Sequence, residues 1–177
     1  MIMPASKTQF SQSIENILLA LKKNSDLSDI LPNLLQELAV RLQCQWVTYW
    51  KVNFISHELK PFMTWSSPGF EAQALARDTR DRRLSMSEGT AGLVWRTKRP
   101  IWTLDLSRDM CLPRSLDARN VGLNGGIWFP VKTDGKVNAV IELLGKEILP
   151  PSEELISDIR AFGIQLGTEL KEKCSDK

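Results

Sequence analysis

The spacing of apolar positions changes period along the chain, and each change marks a different kind of element. Phe10, Ile14, Ile17, Leu18 and Leu21 recur at helical intervals, with Lys22 and Lys23 where cations suit the helix dipole. Asn24-Ser25-Asp26 breaks that helix. A second begins near Ser28, a good N-cap, tolerates Pro32 in its first turn, and carries a stripe of Leu31, Leu34, Leu35, Leu38 and Leu42. Gln45-Trp46-Val47-Thr48-Tyr49-Trp50-Lys51-Val52 is instead aromatic and β-branched, which predicts a strand. A second strand is expected over Leu59 to Trp65, closed by Ser66-Ser67-Pro68-Gly69.

The middle is less regular. A thin apolar face (Ala72, Leu75, Ala76) allows a short helix from Glu71 to Arg80, and Leu93-Val94-Trp95 starts another. Lys98-Arg99-Pro100 stops it, because the residue before proline is pushed out of the α region. Ile101-Trp102-Thr103-Leu104 reads as a short strand, and a helical turn is expected from Ser115. Then Ile127 to Lys132 and Val137 to Leu144 form two almost wholly apolar runs joined through Asp134-Gly135. That dipeptide predicts a hairpin whose turn needs positive φ at both central residues, and the runs predict strands covered on both faces. Pro130 cannot donate to a ladder, so it predicts a bulge or an edge there. After Pro150-Pro151, Ser152 caps a final helix with Glu153 and Glu154 in its first turn. Leu155, Ile159, Phe162, Leu166 and Leu170 form its narrow apolar seam.

Strands grouped together, with helices at both ends, imply an α+β fold: one antiparallel sheet with the terminal helices stacked on one face. The loops and short helices between Pro68 and Leu123 would then roof the other face. The organisation reads as an N-terminal amphipathic helix over 1–25, one domain over 26–171 and a polar tail over 172–177.

Composition narrows the function more than the fold. Forty-two per cent of the 177 residues are hydrophobic and 25% are charged, so a core can form without staples. A net charge of +2 provides no global field for nucleic acid or anionic lipid. Arg77, Arg80, Arg82 and Arg83 cluster, but Asp78 and Asp81 interleave with them, which marks a solvated face. There is no Walker loop and no GxGxxG. No apolar run approaches the roughly 18 to 20 residues needed to cross a bilayer, and the first thirteen residues do not form a secretory signal. Three separated cysteines (Cys44, Cys111, Cys174) match neither a disulfide framework nor a zinc site. Free thiols fit a reducing compartment, so the expected location is the cytoplasm. The single histidine, His57, lies in an expected turn without partners for acid–base work.

Three stretches, Glu88-Gly89-Thr90-Ala91-Gly92-Leu93-Val94-Trp95, then Arg99-Pro100-Ile101-Trp102, then Gly122 to Val131, resemble a GAF domain. With the Asp134-Gly135 hairpin and the Ser152 helix, the resemblance spans about residues 26 to 171. It implies a PAS-related antiparallel sheet of about five to six strands, a ligand pocket on the roofed face, and terminal helices that often dimerise. It also implies a bacterial signalling context, with a kinase or cyclase as downstream output.

Six tryptophans are the unusual feature of the composition. An aromatic cage for a flat or apolar ligand is expected from Trp65, Trp102, Met110 and Cys111, with Arg114 as an anion contact. A homodimer interface is expected from Ile159, Phe162, Leu166 and Leu170. No cofactor is assigned. Bilin is disfavoured because Leu112, not histidine, follows Cys111, and cyclic GMP because Leu144 to Glu154 lacks the Asn and Phe of that signature. The three thiols do not resemble the arrangement of GAF-fold reductases of free methionine sulfoxide. The expectation is therefore a sensory or regulatory domain that is not an enzyme. The alternatives are a ligand-free interaction module and a thiol redox module centred on Cys111.

Overall fold

The computed structural model describes residues 14–19, 27–108 and 115–175. Helical residues 14–19 (α1) precede α2 (Leu27–Arg41), β1 (Trp46–Asn53), β2 (Glu58–Ser66), α3 (Gln73–Asp81), α4 (Gly89–Thr97), β3 (Ile101–Thr103), α5 (Ser115–Asn120), β4 (Gly125–Thr133), β5 (Lys136–Gly145) and α6 (Glu153–Ser175). The five strands form one sheet in the order β2-β1-β5-β4-β3, and every pairing is antiparallel. β4 and β5, the two apolar runs, lie inside the sheet, where both faces are covered. Asp134 and Gly135 at their turn have φ of 51° and 74°, as the hairpin requires.

Alternation along the strands divides the core in two. Val47, Tyr49, Ile141, Leu143, Ile127 and Phe129 face a helical layer made of α1, α2 and α6. Trp46, Trp50, Val140, Leu144 and Trp128 face the roof, where they meet Leu75, Leu84, Val94, Trp95, Leu106 and Leu123. Each large apolar side chain removed from water contributes about 1.5–3 kcal/mol before the entropy of ordering the chain is charged against it.

The ends of the elements follow local chemistry. The Ser152 hydroxyl accepts the Leu155 N–H at 3.1 Å, which caps α6. α4 closes on Lys98 in the left-handed region (φ 58°), two residues before Pro100. Pro130 sits beside a register shift between Val131 and Lys132. It also lies beyond the end of β3, whose ladder with β4 runs only from Gly126 to Trp128. α6 runs on to Ser175, into the stretch that composition marks as a polar tail. Among the described residues, no helix is long and apolar enough to cross a membrane.

Candidate functional site

Beneath the roof, in the middle of the sheet, lies a polar cluster on an otherwise apolar floor. Glu142 on β5 is paired across the sheet with Thr48 on β1 and with Trp128 on β4, and all three residues have no solvent exposure. The Trp128 indole N–H donates to the Glu142 carboxylate at 2.9 Å, and the Trp46 indole N–H donates to the Thr48 hydroxyl at 2.9 Å. Burying a carboxylate is costly unless it is hydrogen-bonded, and the sheet register brings these groups together. Gly126 makes the arrangement possible, because a Cβ there would run into the Trp128 ring. Trp50, fully buried, lies one row further along the same face.

β4 connects this cluster to the helical layer. Phe129, the residue after Trp128, points through the sheet to Phe162 on α6, with ring centroids 6.0 Å apart. α6 approaches β4 closely: a Cβ at Gly163 would collide with the Pro130 carbonyl, and one at Gly167 with the Lys132 carbonyl. Helix and strand therefore touch backbone to backbone. A change at Trp128 is one residue away from the surface on which α6 rests.

The structure does not bring together the two expected cage residues that it describes, Trp65 and Trp102. Trp65 is on β2 and Trp102 on β3, the opposite edges of the sheet, and both pack partly buried against the helical layer. The cause is strand parity: Trp65 pairs with Val47 and Trp102 with Ile127, residues whose side chains point away from the roof. The Trp102 indole N–H is buried without an acceptor among the described residues. Met110, Cys111 and Arg114 lie outside the described residues. The roofed floor is occupied instead by Trp46, Trp50 and Trp128, with Trp95 in the roof above them.

The seam of α6 also has a different use within the chain. Ile159, Phe162 and Leu166 are fully buried against the protein's own sheet, and Leu170 is partly buried against the same core. A steep helical stripe fits a sheet face as well as a partner helix, so spacing alone does not separate the two. Cys44 is buried in the junction between α2 and β1, and burial pushes its thiol up to about 12, far from thiolate chemistry at neutral pH. His57 is exposed in the β1–β2 turn. Among the described residues, no group of three His, Cys, Asp or Glu side chains could hold a metal ion. The basic cluster on α3 rims a depression of about 430 Å³ in which Arg82 is already paired with Asp78.

Glu142 is the residue that pattern reading passes over. Its signal is nonetheless present: it is the lone charge in the apolar run from Val137 to Leu144.

A GAF domain family model matches residues 24–167. No curated sequence matches. Among solved structures, the GAF domain of Acinetobacter phosphoenolpyruvate-protein phosphotransferase superposes with a TM-score of 0.74 at 16% identity, covering 97% of this chain and 98% of that one. The corresponding domain from Coxiella burnetii gives 0.76 at 16% identity, covering 97% and 98%. Free methionine-R-sulfoxide reductase from Neisseria meningitidis gives 0.77 at 15% identity, covering 100% and 98%. The last comparison corrects one expectation. The sequence reading that the chain is not an enzyme does not stand, because the same fold, at full coverage, is that of an enzyme, and the Staphylococcus aureus reductase repeats the likeness at a TM-score of 0.70.

Proposed function

Starting from the premise that the chain belongs to the GAF domain family, we propose that it is a sensory or regulatory domain that takes a small molecule on its roofed face. One observation carries this reading. β4 places Trp128, hydrogen-bonded to buried Glu142, directly beside Phe129, which packs on Phe162 of α6. A ligand reaching the Glu142 cluster displaces roof side chains and shifts Trp128. The close contacts of Gly163 and Gly167 with β4 then carry that shift to α6, because tightly packed elements move between discrete arrangements rather than deforming smoothly. The recipient is a protein partner or an output domain contacting α6.

The test is a metabolite screen on the full chain by thermal shift, followed by hydrogen exchange on any hit. A ligand that raises the melting temperature and slows exchange in β4 and α6 together supports the relay. Protection confined to the roof would refute it. The screen includes free methionine-R-sulfoxide with a thiol reductant. Turnover that disappears in Cys111→Ser would replace the regulatory reading with a reductase.

A further inference from the structure

The opposite face of the sheet carries a hollow, separate from the Glu142 cluster. It has a volume of about 960 Å³ and opens between the start of α2, the β1–β2 ribbon, the β4–β5 hairpin and the last described turns of α6. This is the size range of small-molecule sites. Its floor is apolar, formed by Tyr49, Val131 and Leu170. Phe54 and Phe62 form its walls and remain 43% and 44% exposed, an arrangement that leaves aromatic surface in water.

The mouth is cationic. The Lys51 ammonium lies 5.3 Å from the centroid of the Phe62 ring, and the Lys136 ammonium 3.7 Å from that of Phe54. Each lysine is thereby held beside an aromatic wall, and neither has an acidic partner among the described residues. The one carboxylate at the rim among the described residues, Asp134, is engaged by Lys171. The first turn of α2 (Leu27, Ser28) adds the positive end of a helix dipole. An apolar cleft with two uncommitted ammonium groups at its mouth is complementary to one kind of occupant. We propose that this hollow binds an amphipathic monoanion of the fatty-acid class, its apolar chain along Tyr49, Val131 and Leu170 and its carboxylate between Lys51 and Lys136. Lysines rather than arginine forks favour a single point charge over a phosphate gripped in bidentate fashion. Leu170, Lys171 and Gly167 belong to α6, so occupancy of the hollow also bears on that helix.

The experiment uses the full chain and monomeric laurate below its micelle threshold, followed by calorimetry and by amide shifts of Phe54, Phe62 and Leu170. One laurate per chain is expected, with dodecyltrimethylammonium, the same chain bearing a cation, at least about tenfold weaker. The pair Lys51→Glu with Lys136→Glu, both at exposed positions, should fold normally and reverse that preference. Leu170→Trp should block the cleft. Glu142→Gln, on the other face, should leave laurate binding intact, so that failure of the roofed site and failure of this one are distinguishable. The proposal is overturned by absence of laurate binding, by affinity that ignores the charge reversal, or by self-association that Phe54→Asp abolishes while laurate has no effect. Sedimentation with anionic phosphatidylglycerol vesicles, in the absence of any binding of monomeric laurate, would also overturn it.

Discussion

Trp128 donates its indole N–H to Glu142 at 2.9 Å with both side chains wholly out of solvent, a hydrogen bond between β4 and β5 in the sheet interior. A hydrogen bond contributes roughly 0.5–1.5 kcal/mol net, and a buried polar atom that loses its donor costs about 1–3 kcal/mol in desolvation. Trp128→Phe should therefore lose about 2 kcal/mol or more in urea denaturation. Glu142→Gln, which keeps an acceptor of similar shape, should lose less. The double variant Trp128→Phe with Glu142→Gln should lose less than the sum of the two single losses, since the contact between the two side chains is then lost only once. Strict additivity of the two single changes would show that the pair is not coupled.

Gly163 and Gly167 invite a test in which helix propensity and packing oppose each other. Alanine normally stabilises a helix interior relative to glycine by about 1 kcal/mol. Here a Cβ at either position meets a carbonyl of β4, that of Pro130 or of Lys132. Overpacking of this kind costs about 1–3 kcal/mol, so Gly163→Ala and Gly167→Ala should lower the melting temperature rather than raise it. A rise would mean that helix and strand separate easily, and the relay through β4 would lose its physical basis.

Phe162→Ala should cost about 3–5 kcal/mol, because the ring is buried against Phe129. That loss should not depend on protein concentration, since the seam lies within the chain. Denaturation midpoints measured over a hundredfold dilution check this. A midpoint that falls with dilution would return the seam to an interface between copies.

The fold was legible because its signals are local and agree with one another: the Asp134-Gly135 hairpin, the Ser152 cap and the two apolar runs each have one sensible reading. The site was harder to read, because tryptophans announce burial but not direction. Trp65 and Trp102 point to the helical layer because of their pairing partners, a fact of register that composition does not contain. The seam of α6 was ambiguous for a related reason, since the same spacing serves a sheet or a second helix. Glu142 was visible as one charge in an apolar strand, but its meaning required Thr48 and Trp128 from two other strands.

Cys44 offers a check on the buried face that doubles as a control for thiol chemistry. Burial raises its thiol to about 12, so at pH 8 almost none is thiolate. Alkylation of the native protein followed by mass spectrometry should leave Cys44 unmodified until denaturant is added. Rapid native labelling at Cys44 would show that the junction of α2 and β1 opens far more readily than its packing implies.

The turn before α4 supplies a prediction in pH. The Glu88 carboxylate accepts the Ser85 backbone N–H at 2.8 Å. That bond first, then the Ser85 hydroxyl and, more weakly, the charge of Arg82 hold the carboxyl below its ordinary value of 4.5. A carboxylate whose value is lowered by folding stabilises the native state where it is ionised in both states. Its contribution is thus fully present above about 4.5 and lost as pH falls through the lower folded value. Because Glu88 lies at the surface, solvent screening keeps the effect small. Glu88→Gln should therefore be less stable than the parent at neutral pH, with the gap closing as the solution is acidified below 4.5. Asp105, held low by Ser107, titrates with the same sign in both proteins and cancels from the difference. Urea midpoints taken in parallel from neutral pH downward give the answer, and a gap that does not change with pH would mean that the turn is held by its backbone and not by the charge.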